Sequence, residues 1–266
     1  MPTSFPQLPD WKHIHLPSTD STMTRVKELP PDEIPTEGFL LITTDHQTAG
    51  HGQVNTHWEA AAGKNLLFSF AFRPQGLAAN RQFLLSEALS LSVAEALTPL
   101  VGECRVKWPN DVYWHDRKIC GMLLDHVLCG SAIGITRTGV GVNVNQPHFE
   151  GDAPNPVSVR QILGHDVDRD ALLADILSRF SRHLFLLRSG GGDALHRQYM
   201  HTLYRNEGYH PFRDASGHPF EARIADISPM GMLTLAERNG NQRTFAFKEV
   251  SFVLPPTPLD DSKDND

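Results

Sequence analysis

The chain has 266 residues, 40% of them hydrophobic and 21% charged, with a formal net charge of −7. That length suffices to bury a full core, and the acidic balance argues against a general nucleic-acid binder, which carries a basic face. No basic n-region followed by an apolar stretch opens the chain, and no apolar run approaches the roughly 20 residues of a membrane helix, so a soluble cytoplasmic protein is expected.

A helix is predicted first, capped by Asp20, Ser21 or Thr22 and running toward Leu29. GFLLITTDHQ (38–47) then reads as a strand, rich in β-branched and apolar residues. NLLFSFAFRP (65–74) is a second strand, stopped by Pro74. A helix follows over NRQFLLSEALSLSVAEAL (80–97), apolar nearly all round and so expected deep against a sheet. Three strand-like pieces come next: CRVKW (104–108), KICGMLLDHVL (118–128) and SAIGITRTGVGVNV (131–144), the last two joined as a hairpin at Cys129-Gly130-Ser131.

Further on, a short helix is predicted at 157–163. A strong amphipathic helix is predicted from the cap Asp168 to Gly190, with Leu172, Leu173, Ile176, Leu177, Phe180, Leu184 and Leu187 on its apolar face. From about Gly208 to Leu254, short alternating strands separated by Ser216-Gly217, Met230-Gly231 and Asn239-Gly240 suggest a small β-barrel-like module. The acidic, proline-bearing tail from 255 to 266 is expected to be disordered.

Three cysteines without a CxxC pair argue against a disulfide framework and suit a reducing compartment; each lies in an apolar stretch and is expected to be buried. Of fourteen histidines only His13 and His15 are tightly spaced, and no HExxH occurs, so no His-bound metal is expected. One loop stands apart. In TAGHGQVNTHW (48–58), Gly50 and Gly52 bracket His51, an arrangement that lets backbone N–H groups approach an anion without an intervening Cβ. Yet it holds no lysine or arginine.

Four further segments concentrate polar chemistry: GKNLLFS (63–69), VKWPNDVYW with Lys107, Asn110 and Asp111, DRKICG with Lys118 and Gly121, and TGVGVNVNQ with Gly139, Gly141 and Asn143. Singly each reads as a turn or an exposed cation. In order, DST, QTAGHG, a following Trp, GKNLLFS, KWPNDVYWHDRKICG and GVGVNVNQ resemble the motifs of the biotin protein ligases, over roughly Ser18 to Leu254.

That resemblance implies an α/β (α+β type) catalytic domain over 1–206, a mixed sheet flanked by helices and similar to class II synthetases. An SH3-like barrel over 207–254 would follow. The implied activity forms biotinyl-5′-AMP from biotin and ATP with Mg²⁺, then transfers biotin to a lysine of a biotin carboxyl carrier domain. By the same resemblance Lys118 and Asp111 are catalytic, with Mg²⁺ near Asp111. Ser21, Thr22, Gln47, Gly50, His51, Gly52, Gln53, Lys118, Gly121 and Gly139 would hold biotin, and Trp58, Lys107, Asn110 and Asn143 the adenylate or ATP.

The chain departs from the family where arginines are usual. His51 and Val54 stand at those two positions, Asn55 replaces a glycine, and Met23 follows DST in place of a frequent Asn. A charge-assisted hydrogen bond contributes roughly 1.5–3 kcal/mol, so weaker retention of biotin or its adenylate is expected. A catalytically silent biotin-binding module is one alternative; a lipoate–protein ligase or octanoyl transferase of the same fold is another. Only about 17 residues precede STDST, too few for a helix-turn-helix domain, so no DNA partner is expected. An exposed strand edge would leave room for a homodimer.

Overall fold

The computed structural model describes residues 11–52, 57–151 and 153–255. The elements run β1 (Trp11–Leu16), α1 (Thr22–Glu28), β2 (Phe39–Thr44), β3 (Leu66–Phe72), α2 (Phe83–Val101), β4 (Cys104–Lys107), β5 (Asp111–Trp114), β6 (Arg117–Cys129) and β7 (Ala132–Val142). Then follow α3 (Val159–Leu163), α4 (Arg169–Arg188), α5 (Gly192–Thr202), β8 (His210–Asp214), β9 (Pro219–Ile227), β10 (Leu233–Glu237), β11 (Gln242–Phe245) and β12 (Val250–Phe252).

Seven strands form one sheet in the order β1-β2-β3-β7-β6-β5-β4. Only β1 and β2 pair in parallel; the other neighbours are antiparallel, so the sheet is mixed as expected. One face carries Phe39, Leu41, Phe68, Phe70, Phe72, Val140 and Met122 into the main core with α2 and α4. There Phe180 meets Phe39, Phe70 and Phe72 at 5.0–6.0 Å. The other face packs Leu40, Ile42, Ala71 and Ile135 against Val26 of α1. Alternation along each strand divides the residues between these faces.

Helix α2 is long and apolar enough to span a membrane by length and composition, but 78% of that window is buried inside the protein. It starts three residues later than predicted, after a 3₁₀ turn at Ala79–Arg81, and runs on through Pro99 to Val101. Asp168 caps α4 as expected, accepting from the N–H groups of Asp170 and Ala171. Ser21 stands at the N-cap of α1, yet its own side chain makes no capping hydrogen bond.

Three elements were not anticipated. β1 has a weak strand pattern, and its position follows from pairing with β2 and from Trp11 stacking on Phe39 at 3.9 Å. β5 follows Pro109 immediately after a tight turn. α5 buries Leu195 and Tyr199 against α2. Cys104 and Cys120 are buried, but Cys129 is exposed, contrary to expectation, because the hairpin carries it beyond the part of the sheet that the helices cover.

Residues from His210 onward build a separate five-stranded antiparallel sheet, ordered β11-β10-β9-β8-β12. It docks on the larger sheet's end: Trp108 Nε1 donates to the Gly231 carbonyl at 3.0 Å, and Phe83 N donates to that of Pro229 at 3.2 Å. The tail from 256 onward lies outside the described residues.

Candidate active site

Lys118 and Gly121 are three residues apart, so a regular strand would turn them to opposite faces. The β5–β6 ladder shifts register between Val112 and Tyr113, pairing Tyr113 with Lys118 but Asp111 with Gly121. Asp111 and Tyr113 share a face of β5, and the irregularity therefore brings Lys118 and Gly121 to that face together. Ile119 and Cys120 both turn into the core, which the shift explains.

The same face continues across the sheet. Gly121 pairs with Gly141, Gly139 with Ser69, and Lys107 with Asp111. With Asp111, Tyr113, Lys118 and Gly121, eight residues from five strands thus share one face of the sheet.

Lys118 Nζ stands 2.7 Å from Asp111 Oδ1, with the two side chains 30% and 18% exposed. The Lys118 backbone is framed on its other edge: its N–H donates to the Asn155 carbonyl at 2.7 Å, and its own carbonyl accepts from Val157 N at 3.0 Å. Over this pair lies Trp58, with Lys118 Nζ 5.5 Å from the ring. The indole rests on the glycines. A Cβ added at Gly121 would stand 2.9 Å from Trp58 Cζ3, and one at Gly141 only 2.5 Å from Cε2. Both glycines leave room at the sheet surface, and Trp58 takes it up.

Around Gly139 a polar group is assembled by α1, β3 and the start of the loop. Gln47 Oε1 accepts from Thr22 N at 2.8 Å and from Thr22 Oγ1 at 3.1 Å, and Thr22 Oγ1 is 2.8 Å from Ser69 Oγ. Ser21, Thr22 and Ser69 are buried. Behind them Asp20 fixes the turn, accepting from Ser21 N, Thr19 Oγ1 and the Arg25 guanidinium, which holds its carboxyl well below the usual range. Ser69 was not singled out from the sequence. Only its place opposite Gly139, with Thr22 above it, marks it.

Gly50 sits against Gln47, whose Nε2 would lie 2.8 Å from an added Cβ. His51 is exposed, with Nδ1 3.3 Å from the Ala49 carbonyl, and bridges to His57 across the loop. Gln53, Val54 and Asn55 lie outside the described residues. Asn110 is buried and donates through Nδ2 to the Met122 carbonyl, while its own carbonyl accepts from Met122 N. Its amide nitrogen therefore anchors the β4–β5 turn to β6. Asn143 donates through Nδ2 to the Lys118 carbonyl at 3.4 Å, and its Oδ1 is buried without a partner. Trp58 Nε1 is likewise buried and unpartnered.

Lys107 faces Tyr113 and the second sheet, and burial lowers its pKa, with Asp111 opposing that shift. Among the described residues no group of three or more His, Cys, Asp or Glu is placed to hold a metal.

The sequence model of the biotin/lipoate A/B protein ligase family matches residues 15–143, which include these loop, helix and strand residues. A biotin–[acetyl-CoA-carboxylase] ligase of Paracoccus denitrificans is 32% identical over 174 residues, 63% of this chain and 70% of that protein. The chain belongs to the biotin/lipoate protein ligase family. Another relative, the bifunctional ligase/repressor BirA of Bacillus subtilis, is 27% identical over 61% of this chain, which spans 50% of that protein's length. The biotin protein ligase from Aquifex aeolicus, solved in complex with biotin and ATP, shares the fold with a TM-score of 0.73. It is 24% identical, over 91% of this chain and 99% of that one. Within the family, the most telling segment here is the run from Lys107 to Gly121, because it carries both members of the ion pair and the glycine beside them.

Proposed function

We propose that this chain is an ATP-dependent biotin–protein ligase acting on a biotin carboxyl carrier domain. The observation that carries the reading is the Asp111–Lys118 pair, 2.7 Å apart on the glycine-lined face beneath Trp58. Such a floor suits a compact fused ring that carries a planar ureido group, and one fixed cation beside it suits the carboxylate and phosphate that react.

In the first step a biotin carboxylate oxygen attacks the α-phosphorus of ATP. A new P–O bond forms, and the bond to the departing diphosphate breaks. The Lys118 ammonium balances the negative charge gathered on the carboxylate and α-phosphate, a preorganised form of stabilisation. In the second step the acceptor lysine amine attacks the carbonyl carbon of the mixed anhydride, the C–N bond forms, and AMP leaves. Asp111, beside the reacting carbonyl, receives the proton shed by that amine. Thr22, Gln47 and Ser69 present hydroxyl and amide groups suited to a cyclic urea, which both donates and accepts. The unpartnered Asn143 Oδ1 suits an exocyclic amino group of the base.

Magnesium fits as part of the substrate. Asp111 is already paired with Lys118, and Mg²⁺ is commonly held by phosphates with one carboxylate. The same reading takes the second sheet as an SH3-like barrel and places the protein in the cytoplasm, where ATP is made available.

The test is biotin transfer to a carrier domain with Mg-ATP, with lipoate as competitor, beside a Lys118→Ala variant. Transfer from biotin that disappears in the variant is expected. Biotin binding without transfer by the unsubstituted chain would overturn the proposal in favour of a silent binding module, and preference for lipoate would move the substrate.

A further inference from the structure

The motif that leads into the active site is gripped by the second sheet. Trp108 donates to the Gly231 carbonyl and meets Phe247 edge-on at 6.1 Å. Its neighbour Lys107 stands on the same face as Asp111 and Lys118, across the turn from Asp111. Its ammonium lies between two rings, 5.4 Å from the centroid of Tyr113 and 5.1 Å from that of Phe252. Tyr113 comes from β5 of the catalytic sheet, but Phe252 comes from the last strand of the other one.

Phe252 is not loosely placed. It pairs with Phe212 across β8–β12, its ring lies 4.9 Å from that of Phe212, and Arg205 Nη1 ties the following strand end through the Val253 carbonyl at 3.0 Å. The charged groups acting on Lys107 are Asp111, which attracts it, and Lys118 and Arg205, which repel it. A cation that two others repel is held in place by electron-rich ring faces, more strongly where water is partly excluded.

We propose that Phe252 is a positioning residue for Lys107: the small sheet supplies one wall of an aromatic cage that sets where the site's second cation meets the nucleotide phosphates. The nucleotide part rests on the ligase reading; the cage does not.

Two substitutions separate the ring's face from its bulk. Phe252→Leu keeps apolar volume and removes the π-face, while Phe252→Tyr keeps both; thermal melting establishes that each variant folds. In Phe252→Leu the KM for Mg-ATP should rise about two- to thirtyfold, the range a cation–π contact supplies, with the biotin Kd unchanged. Phe252→Tyr should restore the KM. Independently of activity, a neutral amine-acylating reagent should label Lys107 faster, relative to the exposed Lys12, in the leucine variant than in the parent or the tyrosine variant. Equal changes in both variants would reduce Phe252 to a packing residue and overturn the proposal. So would an unmoved KM and unmoved labelling in Phe252→Leu. If the unsubstituted chain showed no ATP-dependent activity, the ligase reading would fail. The labelling contrast would then decide the cage alone, its presence supporting the cage and its absence overturning it.

Discussion

Gly141→Ala asks whether the glycine face is the floor of the ligand site. Gly141 has no positive φ, so alanine suits the strand backbone, and loss of unfolded-state freedom even favours it by roughly 0.4–1 kcal/mol. The perturbation is steric: the new methyl would stand 2.5, 2.6 and 2.8 Å from Cε2, Nε1 and Cζ2 of Trp58. Trp58 is half-buried, and no hydrogen bond retains its Nε1, so the indole should lift from the sheet before the sheet deforms. Forcing a methyl into a filled space costs about 1–3 kcal/mol. For a ligand lying on the same floor, that converts to roughly a five- to 150-fold loss of affinity. Calorimetric titration with biotin, alone and with a non-hydrolysable ATP analogue, measures the loss. Tryptophan emission, corrected with Trp58→Phe for the other three tryptophans, follows the indole. A variant that binds both ligands like the parent, with unchanged emission, would refute the argument that these glycines are kept bare for ligand.

Away from the site, Glu87 is buried between α2 and α5, with Oε1 2.8 Å from His196 Nδ1, and burial pushes its carboxyl from 4.5 up to about 7. The folded state thus holds this proton more tightly than the unfolded chain does. The stability it confers is complete below pH 4.5 and is lost as pH rises through about 7, by at most roughly 3 kcal/mol at about 1.4 kcal/mol per pH unit. Glu87→Gln should therefore melt above the parent at pH 8 and show a flatter melting profile between pH 5 and 8; parallel profiles would sink that account. In the loop, His51→Arg with Val54→Arg should lower the biotin Kd by about tenfold or more, at roughly 1.5–3 kcal/mol for each charge-assisted hydrogen bond formed. Unchanged affinity would mean that backbone N–H groups and Lys118 already suffice.

Patterns with strong local causes were legible in the chain. The apolar period of α4, its Asp168 cap and the β-branched runs of β2 and β3 arise from interactions within a few residues. β1 and α5 were not legible in the same way. Lys12, His13 and His15 interrupt β1, and what makes it a strand is the neighbouring β2. α5 fully buries only two large side chains, Leu195 and Tyr199, with Met200 partly packed beside them, too few for a periodic signal.

The candidate site divides along the same line. The resemblance carried by the ordered motifs marked Lys107, Asp111, Lys118, Gly121, Gly139 and Trp58, and the chemistry of a cation, a carboxylate and bare backbone came with them. Their mutual placement did not, because it depends on pairing between strands distant in sequence. A register shift of one residue between β5 and β6 turns Lys118 and Gly121 to the same face, where regular alternation would have separated them. Ser69 joins Thr22, and Phe252 reaches Lys107, only through contacts 47 and well over a hundred residues apart. The sequence by itself determined which groups are available to react; the tertiary structure decided which face they share, because side-chain direction in a sheet is set by the partner strand's register.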